Sequence, residues 1–350
     1  MNKQFFNSKI NIKLNEILEV LDIPLNEFLS INYDVNIDKI FINDFVPFKD
    51  LKENSLSFLN NTQYDFNKVF SGLCILEKKN ANILSKNIIK IPFERPKLGF
   101  SKILDFYFSK ILKDDISVHP TAIIDDTAVI GKNVNIGPYS YIEKGVVIGD
   151  NTYIAERVSI LQNCMIGKNC IIYPGVIIEC SFLEDRVKVF ANSVLGKVGF
   201  GFVPNDFKTS LMPHIGGLLI GEGTHIGSNC TIDRGFIEDT VIGKSVMIDN
   251  QVHIGHNCII DDLCILAGKV GLSGSVKLKK KVTLAGDVSV KDNITIGENS
   301  IIVGASKVFN NFPKNSVIGG SPAQNLSDWK KIIASQKLSL KKRKFKNNDN

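Results

Sequence analysis

Residues 124–178 read IDDTAVIGKNVNIGPYSYIEKGVVIGDNTYIAERVSILQNCMIGKNCIIYPGVII, with isoleucine at every sixth position from Ile124 to Ile178. A second run, from Ile242 to Val308, carries a branched aliphatic residue at every sixth position. Neither a helix, with its period of 3.6, nor a single strand, with its period of 2, produces this spacing. The period predicts a left-handed parallel β-helix of hexapeptide repeats, in which three hexads form one coil of about 18 residues. The aliphatic side chains point inward and stack from coil to coil.

The residue after the buried aliphatic is often glycine, as in Ile130-Gly131 and Ile254-Gly255. Glycine is expected there because the backbone turns sharply at each corner of a triangular coil. The period is lost from about residue 182 to 219, and a shorter slip occurs at Asp233-Arg234-Gly235. Because a long segment that leaves a rigid scaffold is usually functional, we predict that 182–219 forms a functional loop excursion.

The flanking segments show no hexads and predict separate structures. Residues 1–100 mix helical stretches with short apolar strands, which predicts a small α/β domain. Residues 101–115 predict a linker helix, and residues 116–310 predict the β-helix with its excursion. Residues 311–350 predict a C-terminal cap, a helix and a basic tail, because the open end of a β-helix needs cover. The fold class is therefore mainly β.

Composition narrows the function classes. The 350 residues carry 42 Lys and Arg against 36 Asp and Glu, a mild excess that does not by itself predict nucleic-acid binding. The seven cysteines are odd in number and include no CxxC pair, which argues against a disulfide framework and a cysteine zinc site. The N-terminus lacks an apolar signal segment, and no run of about 18 apolar residues predicts a membrane span. We therefore expect a cytoplasmic protein, near the inner membrane face.

His256 is the candidate for acid–base chemistry among the five histidines. It follows the inward-facing Ile254 by two residues, so its imidazole is expected to project outward at a corner. A histidine there can act as a general base near neutral pH, or it can be an ordinary surface histidine. A zinc site between subunits, as in the γ-type carbonic anhydrases, is an alternative that would use His225, His253 and His256. Because His253 precedes the inward residue and His256 lies at the next corner, their convergence on one ion is poor, and no metal is expected.

Five segments of the chain are together similar to one known family. They are Leu56–Tyr64, Gly199–Phe202, Ile232–Gly235, Ile248–Gln251 and Ile254–Asn257. With them the chain resembles the UDP-3-O-(3-hydroxyacyl)glucosamine N-acyltransferases of lipid A biosynthesis over nearly its whole length. Many acyltransferases share a hexapeptide period, whereas this combination of an N-terminal domain, the Asp-Arg-Gly slip and the His-Asn pattern is specific.

The resemblance implies a reaction and its partners. An R-3-hydroxyacyl chain would move from acyl carrier protein to the 2-amine of UDP-3-O-(3-hydroxyacyl)glucosamine, and the enzyme would be a homotrimer. It implies no enzyme-bound cofactor, because the acyl donor is carried on the phosphopantetheine of the carrier protein. The helix from Ser327 and the basic run to Lys346 are then expected to contact the acidic carrier. The alternative for the basic run is a solvated terminus.

The resemblance also implies catalytic roles for three residues. His256 would be the general base, because an amine that attacks a thioester must lose a proton. Asp249 would assist His256. The backbone N–H of Gly274 would stabilise the oxyanion, which is the expected use of a preorganised donor.

A further set of residues would bind the substrate by the same resemblance. They are Phe58, Asn61, Tyr64, Asn250 and Asn293. Phe58 and Tyr64 would flank the uracil with Asn61 nearby, since flat rings suit the face of a nucleobase. Asn293 departs from the family, which often has a second histidine there. An amide can still donate a hydrogen bond but cannot carry a charge.

Two other functions remain open at this point. The O-acyltransferase of the preceding step shares the β-helix and a histidine in a similar Ile-Gly-His-Asn setting, but it begins at the hexads. A non-catalytic hexapeptide trimer scaffold does not require the cluster of Asp249, Asn250 and His256 beside an excursion. The N-terminal domain and this cluster favour the N-acyltransferase.

Overall fold

The computed structural model describes residues 10–33, 35–60, 71–113, 117–204 and 207–346. The chain divides into two compact units, Met1–Asp114 and Asp115–Asn350. Each unit has its own buried apolar residues.

The first unit is a small α/β domain built on a four-stranded parallel sheet. Its strands, in sheet order, are Asp44–Phe45, Ser55–Phe58, Gly72–Leu76 and Ile88–Pro92. A two-stranded antiparallel ribbon pairs Ile12–Lys13 with Phe41–Ile42. The helices are α1 (Leu14–Val20), α2 (Leu25–Leu29) and α3 (Pro96–Lys113), with 3-10 turns at Ile37–Lys39, Phe48–Asp50 and Lys78–Ile83.

Helix α3 belongs to the core of the first unit. The sequence suggested a linker helix over 101–115, whereas the helix begins at Pro96, whose fixed φ suits a first helical position. Ile103 and Tyr107 on this helix are 0% and 5% exposed, and they lie in one apolar cluster with Leu56 of the sheet. Apolar burial therefore makes the helix part of this unit.

The second unit is a left-handed parallel β-helix with three flat faces. The first face has the strands Ile123–Ile124, Tyr141–Ile142, Ser159–Ile160, Ile177–Ile178, Val194–Lys197, Thr231–Asp233, His253–Ile254, Gly271–Leu272, Ser289–Val290 and Lys307–Val308. The second face has Val129–Ile130, Val147–Ile148, Met165–Ile166, Ser181–Leu183, Leu218–Ile220, Thr240–Ile242, Ile259–Ile260, Lys277–Leu278 and Thr295–Ile296. The third face has Asn135–Ile136, Tyr153–Ile154, Ile171–Ile172, Lys188–Val189, His225–Ile226, Met247–Ile248, Ile265–Leu266, Thr283–Leu284, Ile301–Ile302, Val317–Gly319 and Gln324–Asn325.

The six-spaced aliphatic residues form the core of the β-helix, which confirms the prediction from the period. At every sixth position from Ile136 to Ile178 and from Ile242 to Val308, the residue is at most 4% exposed. Parallel pairing keeps these residues in register from coil to coil. Each inward side chain therefore contacts apolar neighbours on both sides, and their burial is the main source of stability.

Five cysteines pack in the interior of the β-helix, each one residue before a strand, and they are distributed over all three faces. Cys164, Cys170, Cys230, Cys258 and Cys264 are all 0% exposed. Burial raises the pKa of the Cys258 thiol to about 12 and that of Cys264 to about 11. These thiols therefore stay protonated near neutral pH and behave as small apolar groups.

The corner glycines are needed because adjacent coils approach closely. Gly137 and Gly255 do not adopt a positive φ, but a Cβ at Gly255 would lie only 2.9 Å from the backbone nitrogen of Gly274. The left-handed conformation is found two residues later in the turn, as at Asn257 (φ 59°) and Asn293 (φ 60°). Asparagine tolerates that conformation better than most residues. Glycine is therefore required by the close contact between coils, and asparagine is favoured by the left-handed backbone conformation of the turn.

The excursion begins later than the sequence indicates. The aliphatic ladder continues through Leu183, Val189 and Leu195, which pair in register with the coil below. The coil has lost one residue at the corner after Ile178, so the period resumes in a new phase and looks interrupted. The segment that leaves the wall is 198–217, and it contains an antiparallel hairpin of Phe202–Pro204 and Thr209–Leu211.

The C-terminal end of the β-helix is covered by a short antiparallel pair and a helix. Val317–Gly319 continues the third face and pairs with Gln324–Asn325. Helix α4 (Leu326–Lys346) follows and includes the basic run at the end of the chain. The lysines Lys330, Lys331 and Lys337 on α4 are exposed.

Candidate active site

The candidate site lies on the corner that joins the first face to the second. His256 lies on the turn after the strand His253–Ile254, and Gly274 and Asn293 lie on the matching turns of the next two coils. The N–H of Ser275 donates to the carbonyl of His256 at 2.8 Å, and the N–H of Asn293 donates to that of Gly274 at 3.1 Å. His256, Gly274 and Asn293 therefore stack along one edge of the prism, here called the His256 edge.

The His256 imidazole is half-buried between two glycines. A Cβ at Gly274 would lie 2.8 Å from Nε2 of His256, so this end of the ring faces the bare α-carbon. A Cβ at Gly199, in the excursion, would lie 2.8 Å from the Cβ of His256. Since real Cβ atoms do not come this close, glycine at both positions is what lets the ring fit here.

Asn257 determines which nitrogen of His256 carries the proton. The Asn257 amide is oriented by two bonds: its Oδ1 accepts from the N–H of Phe236 at 3.0 Å, and its Nδ2 donates to the carbonyl of Glu238 at 3.1 Å. Nδ1 of His256 lies 2.9 Å from that same Oδ1 and must therefore be the donor. In the neutral ring, Nε2 then has the free lone pair, which is the arrangement that a general base needs.

The backbone N–H of Gly274 is available beside this imidazole. Within the described part of the chain it makes no hydrogen bond. On the edge between the second and third faces, the N–H groups of Lys168 and Lys244 donate instead to the carboxylates of Asp185 and Asp262, at 2.7 and 2.8 Å. An unpaired donor next to a base is the combination that stabilises a developing oxyanion.

A second histidine, His214 of the excursion, completes the surroundings of His256. The two rings meet edge to face, with their centroids 5.1 Å apart. His214 is only 3% exposed. The sequence assigned it no role, because no spacing relates a residue of the excursion to a hexad. The presence of the excursion was the only signal.

Asp233 and Arg234 hold both ends of the excursion on the β-helix. Nζ of Lys197 lies 2.7 Å from a carboxylate oxygen of the buried Asp233, and it donates to the carbonyl of Val198 at 3.0 Å. Nε of Arg234 donates to the carbonyl of His214 at 3.0 Å. The Asp-Arg-Gly slip therefore clamps the excursion where it leaves the wall and where it returns.

Asp249 and Asn250 lie on a different edge from His256. Their turn joins the third face to the first, and both side chains are exposed. An oxygen of Asp249 accepts from the N–H of Asn250 at 2.7 Å, and Oδ1 of Asn250 accepts from the N–H of Ser228 at 2.8 Å. A single chain thus presents the predicted base and the predicted carboxylate at opposite ends of one face.

The predicted uracil-binding residues belong to the first unit. Phe58 ends a strand of the parallel sheet, and its half-buried ring lies 5.0 Å from the ring of Phe100. Asn61 and Tyr64 lie outside the described residues, so this set stays a prediction.

The described residues contain neither a grouped set of metal ligands nor a helix that could span a membrane. There, no three His, Cys, Asp or Glu side chains are grouped so that they could hold a metal ion. Nδ1 of His253 is hydrogen-bonded to the hydroxyl of Thr231 at 2.8 Å. In the same part of the chain, every helix is too short or too polar to cross a membrane.

Comparison with known proteins identifies the family. A model of the bacterial transferase hexapeptide (six repeats) matches residues 239–274, and a model of the GMPPB C-terminal domain matches 112–199. A UDP-3-O-acylglucosamine N-acyltransferase of Rickettsia prowazekii (strain Madrid E) is 37% identical over 313 residues, which cover 88% of this chain and 90% of that protein. The chain belongs to the UDP-3-O-acylglucosamine N-acyltransferase family. It is therefore an acyltransferase.

Two further relatives separate this family from its neighbours. A UDP-3-O-acylglucosamine N-acyltransferase of Coxiella burnetii (strain Dugway 5J108-111) is 32% identical over 283 residues, covering 79% of this chain and 82% of that protein. A solved UDP-N-acetylglucosamine acyltransferase of Arabidopsis has a TM-score of 0.53 and 27% identity, and covers 60% of this chain and 73% of its own. Both N-acyltransferase alignments are longer than the second unit and must extend into the first. Membership of the N-acyltransferase family thus rests on both units.

Proposed function

We propose that this acyltransferase moves an R-3-hydroxyacyl chain from acyl carrier protein to the 2-amine of UDP-3-O-(3-hydroxyacyl)glucosamine, a step of lipid A biosynthesis. The amine nitrogen forms a bond to the thioester carbonyl carbon, and the bond from that carbon to sulfur breaks. The proton lost by the amine passes through Nε2 of His256 to the departing sulfur, which leaves as the thiol of the carrier. The products are a UDP-2,3-diacylglucosamine and free carrier protein.

The observation that carries the proposal is the joint orientation of His256 and Gly274. Nε2 of His256 has its lone pair because Nδ1 donates to Asn257, and the Cε1–Nε2 side of the ring packs against the α-carbon of Gly274. The N–H of the same glycine makes no hydrogen bond within the described part of the chain. A thioester carbonyl between the two would meet a base on one side and an oxyanion donor on the other. A non-catalytic scaffold has no need for either feature.

A homotrimer would give this open edge a second wall. The His256 edge faces outward, and acyl transfer to an amine needs a site that excludes water. A second copy could bring the edge that carries Asp249 and Asn250 against the His256 edge, as cyclic symmetry repeats one contact between all copies. Phe200 and Phe202 of the excursion are 77% and 48% exposed, which suits an apolar wall that is covered in the assembly.

Replacing Phe58 by alanine should raise the KM for the UDP-sugar roughly ten- to hundredfold, the range expected for one base-stacking ring, and leave kcat unchanged at saturation. Loss of the ring removes stacking on the uracil and leaves the groups at the His256 edge in place. Steady-state kinetics with varied UDP-sugar measures both constants. Phe58→Tyr keeps the flat ring against Phe100 and serves as the control. Equal effects of Phe58→Ala and Phe58→Tyr would argue against a stacking role.

The carrier protein is expected to bind at helix α4. Changing Lys330, Lys331 and Lys337 to glutamate should raise the KM for the acyl carrier about tenfold at low salt, because rim charges act on the association rate with an oppositely charged partner. The difference should shrink as salt is added. Reversal of three exposed lysines elsewhere, Lys279, Lys280 and Lys281 on the edge between the second and third faces, is the matched control. If the α4 variant and the control variant have the same KM for the acyl carrier, α4 is not the docking site.

The reaction itself is tested by transfer from a defined carrier. Carrier proteins loaded with 3-hydroxyacyl chains of graded length are mixed with UDP-3-O-(3-hydroxyacyl)glucosamine, and the nucleotide product is weighed by mass spectrometry. We expect the nucleotide to gain one acyl chain for each free carrier thiol released, and we expect one chain length to be preferred. A protein that forms no product with any chain length would be a scaffold.

A further inference from the structure

His214 is placed so that its ring packs edge to face against His256. The two imidazoles meet edge to face at 5.1 Å with an interplanar angle of 68°. A Cβ at Gly199 would lie 2.8 Å from both Nε2 of His214 and Cβ of His256, so this glycine lets the excursion come close to both rings. His256 is therefore packed against Gly274 of the β-helix and against Gly199 and His214 of the excursion.

The His214 ring is itself fixed by contacts that involve no ligand. Its Nδ1 lies 2.9 Å from the carbonyl of Met212, which can only accept, so Nδ1 carries the proton. Its backbone carbonyl accepts from Nε of Arg234, and its ring packs against Phe236 with centroids 5.4 Å apart. Three separate anchors therefore hold this side chain in place before any substrate arrives.

The far end of the His214 ring is buried without a polar partner. Nε2 is inaccessible to solvent and, among the described residues, makes no hydrogen bond. An imidazole in such a place costs free energy compared with an apolar side chain of similar shape. A polar group kept at a cost beside a catalytic base has a use that general packing does not explain.

We propose that His214 is a positioning residue for His256. Its ring keeps the His256 imidazole from rotating about the bond to its Cβ, so that the imidazole stays packed against Gly274 with Nε2 held in place for the reacting amine. Without it, the wall beside His256 has a gap, and the base samples orientations in which Nε2 points away. This inference rests on the proposed function, because it needs His256 to be the base.

Two substitutions separate the two ends of the His214 ring. His214→Asn keeps a donor at the position of Nδ1, for the Met212 carbonyl, but removes the part that reaches His256. His214→Gln keeps the reach toward His256 and Gly199 but loses the Nδ1 position. If positioning is the role, His214→Asn should lower kcat about a hundredfold, the scale of a misplaced catalytic group, with both KM values unchanged. His214→Gln should keep most of the turnover.

The controls separate this inference from a structural role and from the proposed function. The thermal midpoint of each variant is measured, and kcat is determined well below it, on folded enzyme. Parent kcat in folded His214→Asn, or turnover that is kept by His214→Asn and lost by His214→Gln, would overturn the positioning role. In a parallel assay, His256→Ala must lose turnover. If it does and His214→Asn does not, the inference alone fails, whereas an active His256→Ala would mean that the proposed role of His256 as the base fails, and this inference with it.

Discussion

Replacing His256 by alanine should lower kcat roughly a hundred- to ten-thousandfold, the usual contribution of a positioned general base. The loss is expected because Nε2 of His256 keeps its lone pair while Nδ1 donates to Asn257, and the ring packs against the α-carbon of Gly274. Binding of the UDP-sugar should survive, since the uracil is assigned to Phe58. Turnover at saturating substrate measures the effect, and a KM that stays constant assigns it to the chemical step.

His253→Ala is the matched control for this change. His253 lies three residues earlier, on the strand before the turn that carries His256; it is exposed, and its ring bonds only to Thr231 in the described structure. It should retain turnover if no metal is shared between the two histidines, and it should fail with His256→Ala if one is. Light scattering should report the same assembly for the parent and both variants. Near-normal turnover of a well-folded His256→Ala enzyme would remove the base and leave Asp249 as the next candidate.

Replacing Ile254 by aspartate should destabilise the β-helix severely, by more than about 4 kcal/mol, because a carboxylate would be buried without a partner. Ile254 is 0% exposed and lies in register between Ile232 and Leu272 on adjacent coils. The expected result is loss of soluble protein or a large fall in the thermal midpoint of unfolding.

Ile254→Val provides the comparison for this substitution. It removes one methyl group at the same buried position and should cost only about 1 kcal/mol. Comparison of Ile254→Asp with Ile254→Val separates the effect of a buried charge from the effect of lost side-chain volume. A soluble Ile254→Asp protein that unfolds at the temperature of the parent would contradict the inward phase of the hexads, and with it the outward position of His256.

The β-helix could be predicted from sequence because the residues that define its six-residue period are the residues that form its core. Each hexad places one aliphatic residue inside, so Ile254 and its equivalents could be assigned to the core from the sequence. The start of the excursion could not, since a coil that loses one residue after Ile178 continues in a new phase and resembles a broken repeat. The sequence analysis grouped Asp249, Asn250 and His256 as one cluster, whereas Asp249 and His256 follow consecutive aliphatic residues and lie on different edges of a single chain.

Contacts between the excursion and the β-helix could not be predicted from the sequence, because the excursion does not follow the six-residue period. His214 reaches His256 only because the excursion folds back, and its position depends on Lys197, Asp233 and Arg234 at the two ends of that segment. The Asp-Arg-Gly slip was one of the segments that resemble the family. The sequence did not show that its side chains bind the two ends of the excursion. In the first unit, short strands without a repeat gave the class of domain and not the place of helix α3 in its core.

The choice between an amine and a hydroxyl acceptor tests the central claim most directly. The enzyme is given a loaded carrier and an equimolar mixture of UDP-3-O-(3-hydroxyacyl)glucosamine, which offers an amine, and UDP-N-acetylglucosamine, which offers a hydroxyl. Mass spectrometry identifies which nucleotide gains the acyl chain, and resistance of the new bond to mild alkali distinguishes an amide from an ester. We expect the chain on the amine acceptor alone, as an amide. Acylation of the hydroxyl acceptor with the amine left unreacted would contradict this account.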